Sequence, residues 1–245
     1  TAILISGLVF KEYLDNFNIS IKELEKLVKG YFDNDGFPLT RNPNDLIFFS
    51  KYLILCKESI KDAQQYVPEF LETIIDKNLR CIKSIQTPNN QTPLFNGGTE
   101  DNLEQFDRYF DDLNYKSKDI KNMIGGIHAF RVRNNAIFFE VGEPPKKNFS
   151  NSYQSGPLSF EYYLDGEKII TNCGFGSNIS SKAELLSRLT SAQSTLTLGD
   201  TSVTKFERNK LVNRTFGNSI KNTFKINNLD FAEDKDQVKF VASHN

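Results

Sequence analysis

Tryptophan is absent from this sequence, methionine occurs once, and histidine occurs only at His128 and His244. Three cysteines, Cys56, Cys81 and Cys173, form an odd set at no metal-ligand spacing. They read as buried, inert thiols and argue against a redox or zinc-finger role. No apolar run approaches the roughly 18 residues needed to cross a bilayer. The opening stretch Thr1 to Phe10 has no basic region and no small-residue cleavage site, and reads as the inside of a helix. Charge of neither sign dominates, with 30 Lys and Arg against 31 Asp and Glu. Nothing here makes the basic stripe of a nucleic-acid binder or the charge block of a disordered tail. No phosphate-cradling loop and no Ser-His-Asp set is legible.

What is present is a chain of 245 residues, 38% hydrophobic, enough for one large or two small domains. Its aromatics are Phe and Tyr, which suit cores and also sugar-stacking platforms. The first half is helical in period. Ser20-Ile21-Lys22-Glu23, flanked by Ile19 and Leu24, has the pattern of a capping box with a hydrophobic staple and predicts a helix running to about Tyr31. Asp33 to Gly36 turns the chain. Asn42-Pro43 supplies an N-cap and a first-turn proline for a helix over 43–65, with Phe48, Tyr52 and Leu55 on one face. Pro68 opens another, in which Leu71, Ile74, Ile75, Leu79, Ile82 and Ile85 recur at helical spacing. After the loop Phe95-Asn96-Gly97-Gly98, a last amphipathic segment carries Leu103, Phe106, Phe110 and Leu113. Short connections predict antiparallel packing, on periodicity alone a helical bundle.

Near residue 118 the period becomes alternating, which divides the chain into a helical part, 1–117, and a β part, 118–245. Ile127 to Arg133 is expected to turn at Asn134-Asn135 and return as Ala136 to Val141. A strand from Tyr153 through Leu164 leads into the turn Asp165-Gly166. In it Leu158, Phe160, Tyr162 and Leu164 form the apolar face, with Ser159, Glu161 and Tyr163 opposite. Further strands are expected at 193–198, 203–208 and 237–243, an antiparallel sandwich with too few strands to close.

Three blocks in the β part carry a resemblance: Gln154 to Glu161 ending in Leu-Ser-Phe-Glu, Asn172-Cys173-Gly174, and Arg188-Leu189-Thr190-Ser191-Ala192-Gln193-Ser194-Thr195. They resemble the heparinase II/III family of polysaccharide lyases, and Asn-Cys-Gly resembles its alphaproteobacterial branch. Asp35-Gly36 followed by Arg41-Asn42-Pro43, and the loop Phe95 to Gly98, are similar to blocks of that family's helical domain. The resemblance implies an α+β multidomain fold: the C-terminal part of an (α/α) toroid followed by the N-terminal part of an antiparallel β-sandwich, with both ends of the chain interrupted. It also implies β-elimination of a uronate-containing acidic polysaccharide, heparin-, heparan- or alginate-like, in the cleft between the two parts. A periplasmic or cell-envelope location goes with such a substrate.

The family's metal-binding His, Asp and His fall here on Gln154, Asn172 and Gln193. Amide oxygens are weak ligands for zinc or calcium, so no metal cofactor is expected, and the three amides are expected to interlock instead. The family's proton-transfer His aligns with Ser152 and its Tyr near Asp45, so neither is retained. Arg41 is then a candidate clamp for a substrate carboxylate or else a surface ion-pair partner, and Asn42 a substrate ligand or a plain N-cap. Tyr153 is the candidate for proton transfer or a packed strand aromatic. Asn96, Gln154, Glu161, Arg188 and Gln193 complete the candidate substrate-binding set, with Glu161 and Arg188 open to pairing. His128 reads as structural. The alternative function is a non-catalytic glycan-binding or envelope protein that has lost its metal and acid–base residues.

Overall fold

The computed structural model describes every residue except 101–102, 116–118, 200, 208, 210, 214–216 and 235–236. The boundary expected at 117/118 therefore lies outside the described residues. Helices come first: α1 (Ala2–Val9), α2 (Leu14–Tyr31), α3 (Pro43–Asp62), α4 (Glu69–Ile85) and α5 (Glu104–Asp112). A sheet follows in the order β1 (Met123–Ile124), β2 (Ile127–Val132), β3 (Asn135–Glu140), β4 (Phe160–Leu164), β5 (Glu167–Ile170), antiparallel throughout. A short helix, α6 (Ser181–Ser187), follows, and β6 (Ile226–Asp234) pairs with β7 (Gln237–His244) as a separate hairpin. No helix among the described residues is long and apolar enough to cross a membrane.

One helix expectation needs correction. Helix α2 starts before Ser20, because the apolar positions Phe17, Ile21, Leu24 and Val28 pack continuously on the core. The Ser20 hydroxyl donates back to the Phe17 carbonyl within the helix instead of capping it. In α3 the cap is as expected, with Asn42 Oδ1 accepting from the Asn44 amide at 2.9 Å. Phe48, Tyr52 and Leu55 share a face as expected, and it is the outer one. Phe48 and Tyr52 are exposed, while Leu46, Ile47, Leu53 and Ile54 are buried. In α4 all six apolar positions are buried. Cys56 and Cys81 are buried as expected, but Cys173 is exposed.

The sheet is a middle layer. Its inner face, Ala129, Ala136, Phe138 and Tyr163, belongs to the same core as α3 and α4. Its outer face, His128, Phe130, Phe139 and Phe160, is covered by the β6–β7 hairpin. There His128 lies 3.6 Å from the Phe231 ring and Phe139 stacks on Phe240 at 4.2 Å. This reverses the expected sidedness of β4, where Ser159, Glu161 and Tyr163 are buried, Tyr163 in the core shared with the helices, and Leu164 is exposed. Alternation gives two faces but cannot say which is inner when both are covered. The β2–β3 turn is one residue early, at Arg133-Asn134, since Val132 pairs with Asn135. Asp165 and Gly166 do form the β4–β5 turn, both at positive φ.

Among the described residues, the strands expected at 193–198 and 203–208 are not formed. Ser194 and Thr195 use their hydroxyls on the Phe160 and Pro157 carbonyls, which draws the chain off any ladder. The second segment keeps one bridge, Phe206 to Ile220. The chain from Tyr153 to Pro157 is likewise a loop. Tyr153, Phe206, Ile220 and Phe224 make a small second core. Truncating a core position of α3 is expected to be costly and an outer one cheap: Ile54→Ala should lose about 2–5 kcal/mol and Phe48→Ala only about 0.5 kcal/mol, both read by urea denaturation.

Candidate functional site

The predicted residues meet where the helical layer touches the loops of the β part. Arg41 takes a left-handed conformation, φ 60°, just before the α3 cap, which turns its side chain inward. The guanidinium is all but buried and donates to the carbonyls of Gly125 (3.2 Å), Gly126 (3.4 Å) and Glu143 (2.5 Å), and it forms an ion pair with Glu140 on β3. Gly126 and Gly142 line its berth, where a Cβ would collide with the guanidinium. Asn96, at φ 52°, donates Nδ2 to the other Glu140 oxygen at 2.8 Å. The carboxylate that Arg41 clamps is thus the protein's own, and the surface ion pair considered from sequence is replaced by a buried one. Burial holds the Glu140 carboxyl above its ordinary range, with Arg41 and Asn96 opposing.

Asn42 does two jobs: its oxygen caps α3 and its Nδ2 reaches Ser152 Oγ at 3.4 Å across the seam. Asn44 reaches Thr99 at 2.6 Å. Tyr153 is fully buried in the second core, its hydroxyl sealed from solvent. Burial first, then the Glu140 charge, pushes its phenol far above the usual range. A proton-transfer group must reach substrate, and here Tyr153 serves as packing.

Glu161 and Arg188 do not pair. Arg188 is fully buried, donates to the carbonyls of Tyr153 and Ser150 at 2.8 Å, and lies over the Phe206 ring. It ties down the 150–154 loop. Glu161 accepts from the Tyr163 and Thr171 hydroxyls and the Asn172 amide. His128 sits between Phe130 and Phe231, and burial lowers its pKa.

The metal positions can be tested by their hydrogen bonds. Gln154 Nε2 faces two carbonyls, Gly174 at 2.8 Å and Ser187 at 2.9 Å, and Gln193 Nε2 faces the same Ser187 carbonyl at 2.7 Å. Carbonyl partners fix these atoms as NH2 groups, which cannot ligate a cation. Gln154 Oε1 is taken by the Gly97 amide at 3.0 Å, and Asn172 Oδ1 by Ser194. The three residues do not fit a zinc or calcium ion. The interlock of the three amides expected from sequence is also corrected, since their partners are backbone groups and Ser194. Two of them share one backbone acceptor, and Gln154 joins the Gly97 loop, the Gly174 loop and the end of α6.

A helical layer backing an antiparallel β-sandwich, with its polar network at the seam, is the architecture of polysaccharide lyases of the toroid-and-sandwich type. The family model described as heparinase II/III-like, C-terminal, matches residues 117–245, more than half the chain. The chain belongs to that family. Among solved structures, the heparan sulfate lyase HepC from Pedobacter heparinus is similar at 18% identity and a TM-score of 0.66, over 84% of this chain and 38% of that one. A heparinase III structure gives 14% identity and 0.67, over 84% and 40%, and the heparinase III BT4657 gene product gives 15% and 0.67, over 84% and 38%. The chain therefore spans about two fifths of those proteins, and its helices and sheets resemble the C-terminal part of them, toroid then sandwich. No curated protein matches it.

Sequence reasoning missed Glu140. Its only signal was a lone acid ending a strand otherwise apolar, Ala136-Ile137-Phe138-Phe139-Glu140. Breaking the pair from either side, by Arg41→Ala or Glu140→Ala, should cost about 3–5 kcal/mol, because the partner charge stays buried. Chemical denaturation of the two single variants measures it.

Glu161 gives a pH prediction. Burial raises its folded pKa despite the three donors. Its stabilising contribution is therefore complete below the unfolded value, about 4.3, and is lost as pH rises through the folded value. The unfolding free energy of Glu161→Gln relative to the unchanged chain should move in glutamine's favour between about pH 4 and pH 7, read by urea denaturation at both. At the amide positions, Gln154→Leu should cost about 1–3 kcal/mol for each buried group it orphans, while zinc or a chelator should leave the melting temperature of the unchanged chain where it was.

Proposed function

We propose that this chain forms part of a lyase that cleaves a uronate-containing acidic polysaccharide by β-elimination, at the seam between its helical and β layers. The observation that carries the reading is the family match over the whole β part, joined to a fold shared with a heparan sulfate lyase. The reaction removes the proton next to a carboxylate, spreads charge onto that carboxylate and expels the linked oxygen. Arg41 and Asn96 are committed to Glu140, so they shape the seam. The loop after Glu143, whose carbonyl accepts from Arg41, carries exposed Lys146 and Lys147, which suits acidic sugar, and the half-buried Ser152 offers a neutral hydroxyl. Heparin-, heparan- and alginate-like chains are the substrate class, and a periplasmic or envelope location accords with them.

A second reading, a glycan-binding or envelope protein without turnover, is favoured by one observation: nearly every predicted site side chain spends its polar atoms inside the protein. The full-length protein should produce unsaturated uronate, seen as a rise in ultraviolet absorbance, on at least one of a panel of acidic polysaccharides. Oligosaccharide binding with no such rise on any of them would favour the second reading.

A further inference from the structure

The elimination needs a proton acceptor and donor that substrate can touch, and the sealed Tyr153 does not provide one. Among the described tyrosines, Tyr163 is also fully buried, with its hydroxyl on Glu161. Tyr31 differs. It ends α2, is only partly buried, and points its hydroxyl at Asp45 Oδ2 on the first turn of α3, 2.9 Å away. Thr40 Oγ1 donates to the same oxygen at 2.6 Å. The Tyr31 ring is held by Phe49 at 4.5 Å, Phe32 at 5.6 Å and Phe149 at 5.9 Å. Phe149 leads directly into the Ser150–Gln154 loop, and Thr40 is the neighbour of Arg41. The pair therefore stands on the seam, built from three segments that the fold brings together.

We propose that Tyr31 and Asp45 form the proton-transfer pair of this chain, an assignment that rests on the lyase reading. In the step, the C–H bond next to the uronate carboxylate breaks and its proton passes to the Tyr31 oxygen as the phenolic proton moves to Asp45. The electron pair forms the C=C bond as the C–O bond to the departing sugar breaks. Tyr31 then gives its proton to that oxygen and takes one back from Asp45, so the pair ends as it began. Thr40 positions the carboxylate. Burial, followed by the Asp45 charge, holds the Tyr31 phenol well above its ordinary range.

The chain carries its own control. Tyr115 donates to Glu58 at 2.6 Å, an equivalent phenol–carboxylate contact. Glu58 lies toward the other end of α3, roughly 20 Å along the helix from Asp45.

The test uses the full-length protein on a polysaccharide that it turns over. Tyr31→Phe and Asp45→Asn should each lower kcat by about 100-fold or more, with KM nearly unchanged, the melting temperature close to the parent's, and Tyr115→Phe fully active. In addition, Asp45→Asn should lower the pH at which the Tyr31 phenol ionises, read as the difference in alkaline ultraviolet absorbance against Tyr31→Phe. A folded Tyr31→Phe enzyme that keeps its kcat overturns the assignment alone. An unchanged chain inert on every substrate removes the lyase reading, and the assignment with it.

Discussion

The buried contact between Arg41 and Glu140 is the constraint on which the rest of the seam depends. A guanidinium and a carboxylate withdrawn from water are tolerable only when their remaining hydrogen-bonding capacity is met. Three backbone carbonyls and Asn96 meet it here. The pair and these partners come from the turn before α3, the loop after α4, the β1–β2 turn, and the end of β3 with the loop that follows it. Satisfying one ion pair therefore fixes four segments relative to one another. Asn42 and Asn44 extend the fixation to Ser152 and Thr99, so the α3 cap and the seam are one hydrogen-bonded unit.

A second constraint lies deeper in the β part, where Gln154 and Gln193 converge on the Ser187 carbonyl. A metal ion joins strands by demanding lone pairs from several side chains at once. Here the demand is inverted, with a backbone lone pair shared by two amide donors. The geometry that results is held by neutral hydrogen bonds, each modest, and collectively dependent on the exclusion of water. Arg188 performs a comparable service nearby, using a charged side chain to hold two carbonyls of the 150–154 loop.

How much of this was legible from the residues differs by element. The α3 cap at Asn42, the six buried positions of α4 and the Asp165-Gly166 turn follow from local rules, and the structure has them. The start of α2, the inner face of β4 and the absent strands near 193 and 203 did not follow. In each of these a local preference was overridden: a serine bonded within a helix, a sheet covered on both sides, and hydroxyls that turned to carbonyls of other loops. The site shows the same division. Arg41, Asn96, Gln154 and Gln193 were picked out by motif, but their partners were not, and Glu140 carried no motif at all.

The sequence by itself determined the family, the order of helical before β structure, and that amides stand at Gln154, Asn172 and Gln193. These are properties of residue types at fixed spacing, and the chain carries them without folding. Tertiary structure alone decided which carboxylate Arg41 meets, which way Tyr153 points, and that the phenol of Tyr31 meets the Asp45 carboxylate. Such contacts join residues distant in sequence or set by the angle between packed helices. Burial then decides which side chains remain open to solvent, and that depends on what every neighbouring layer covers.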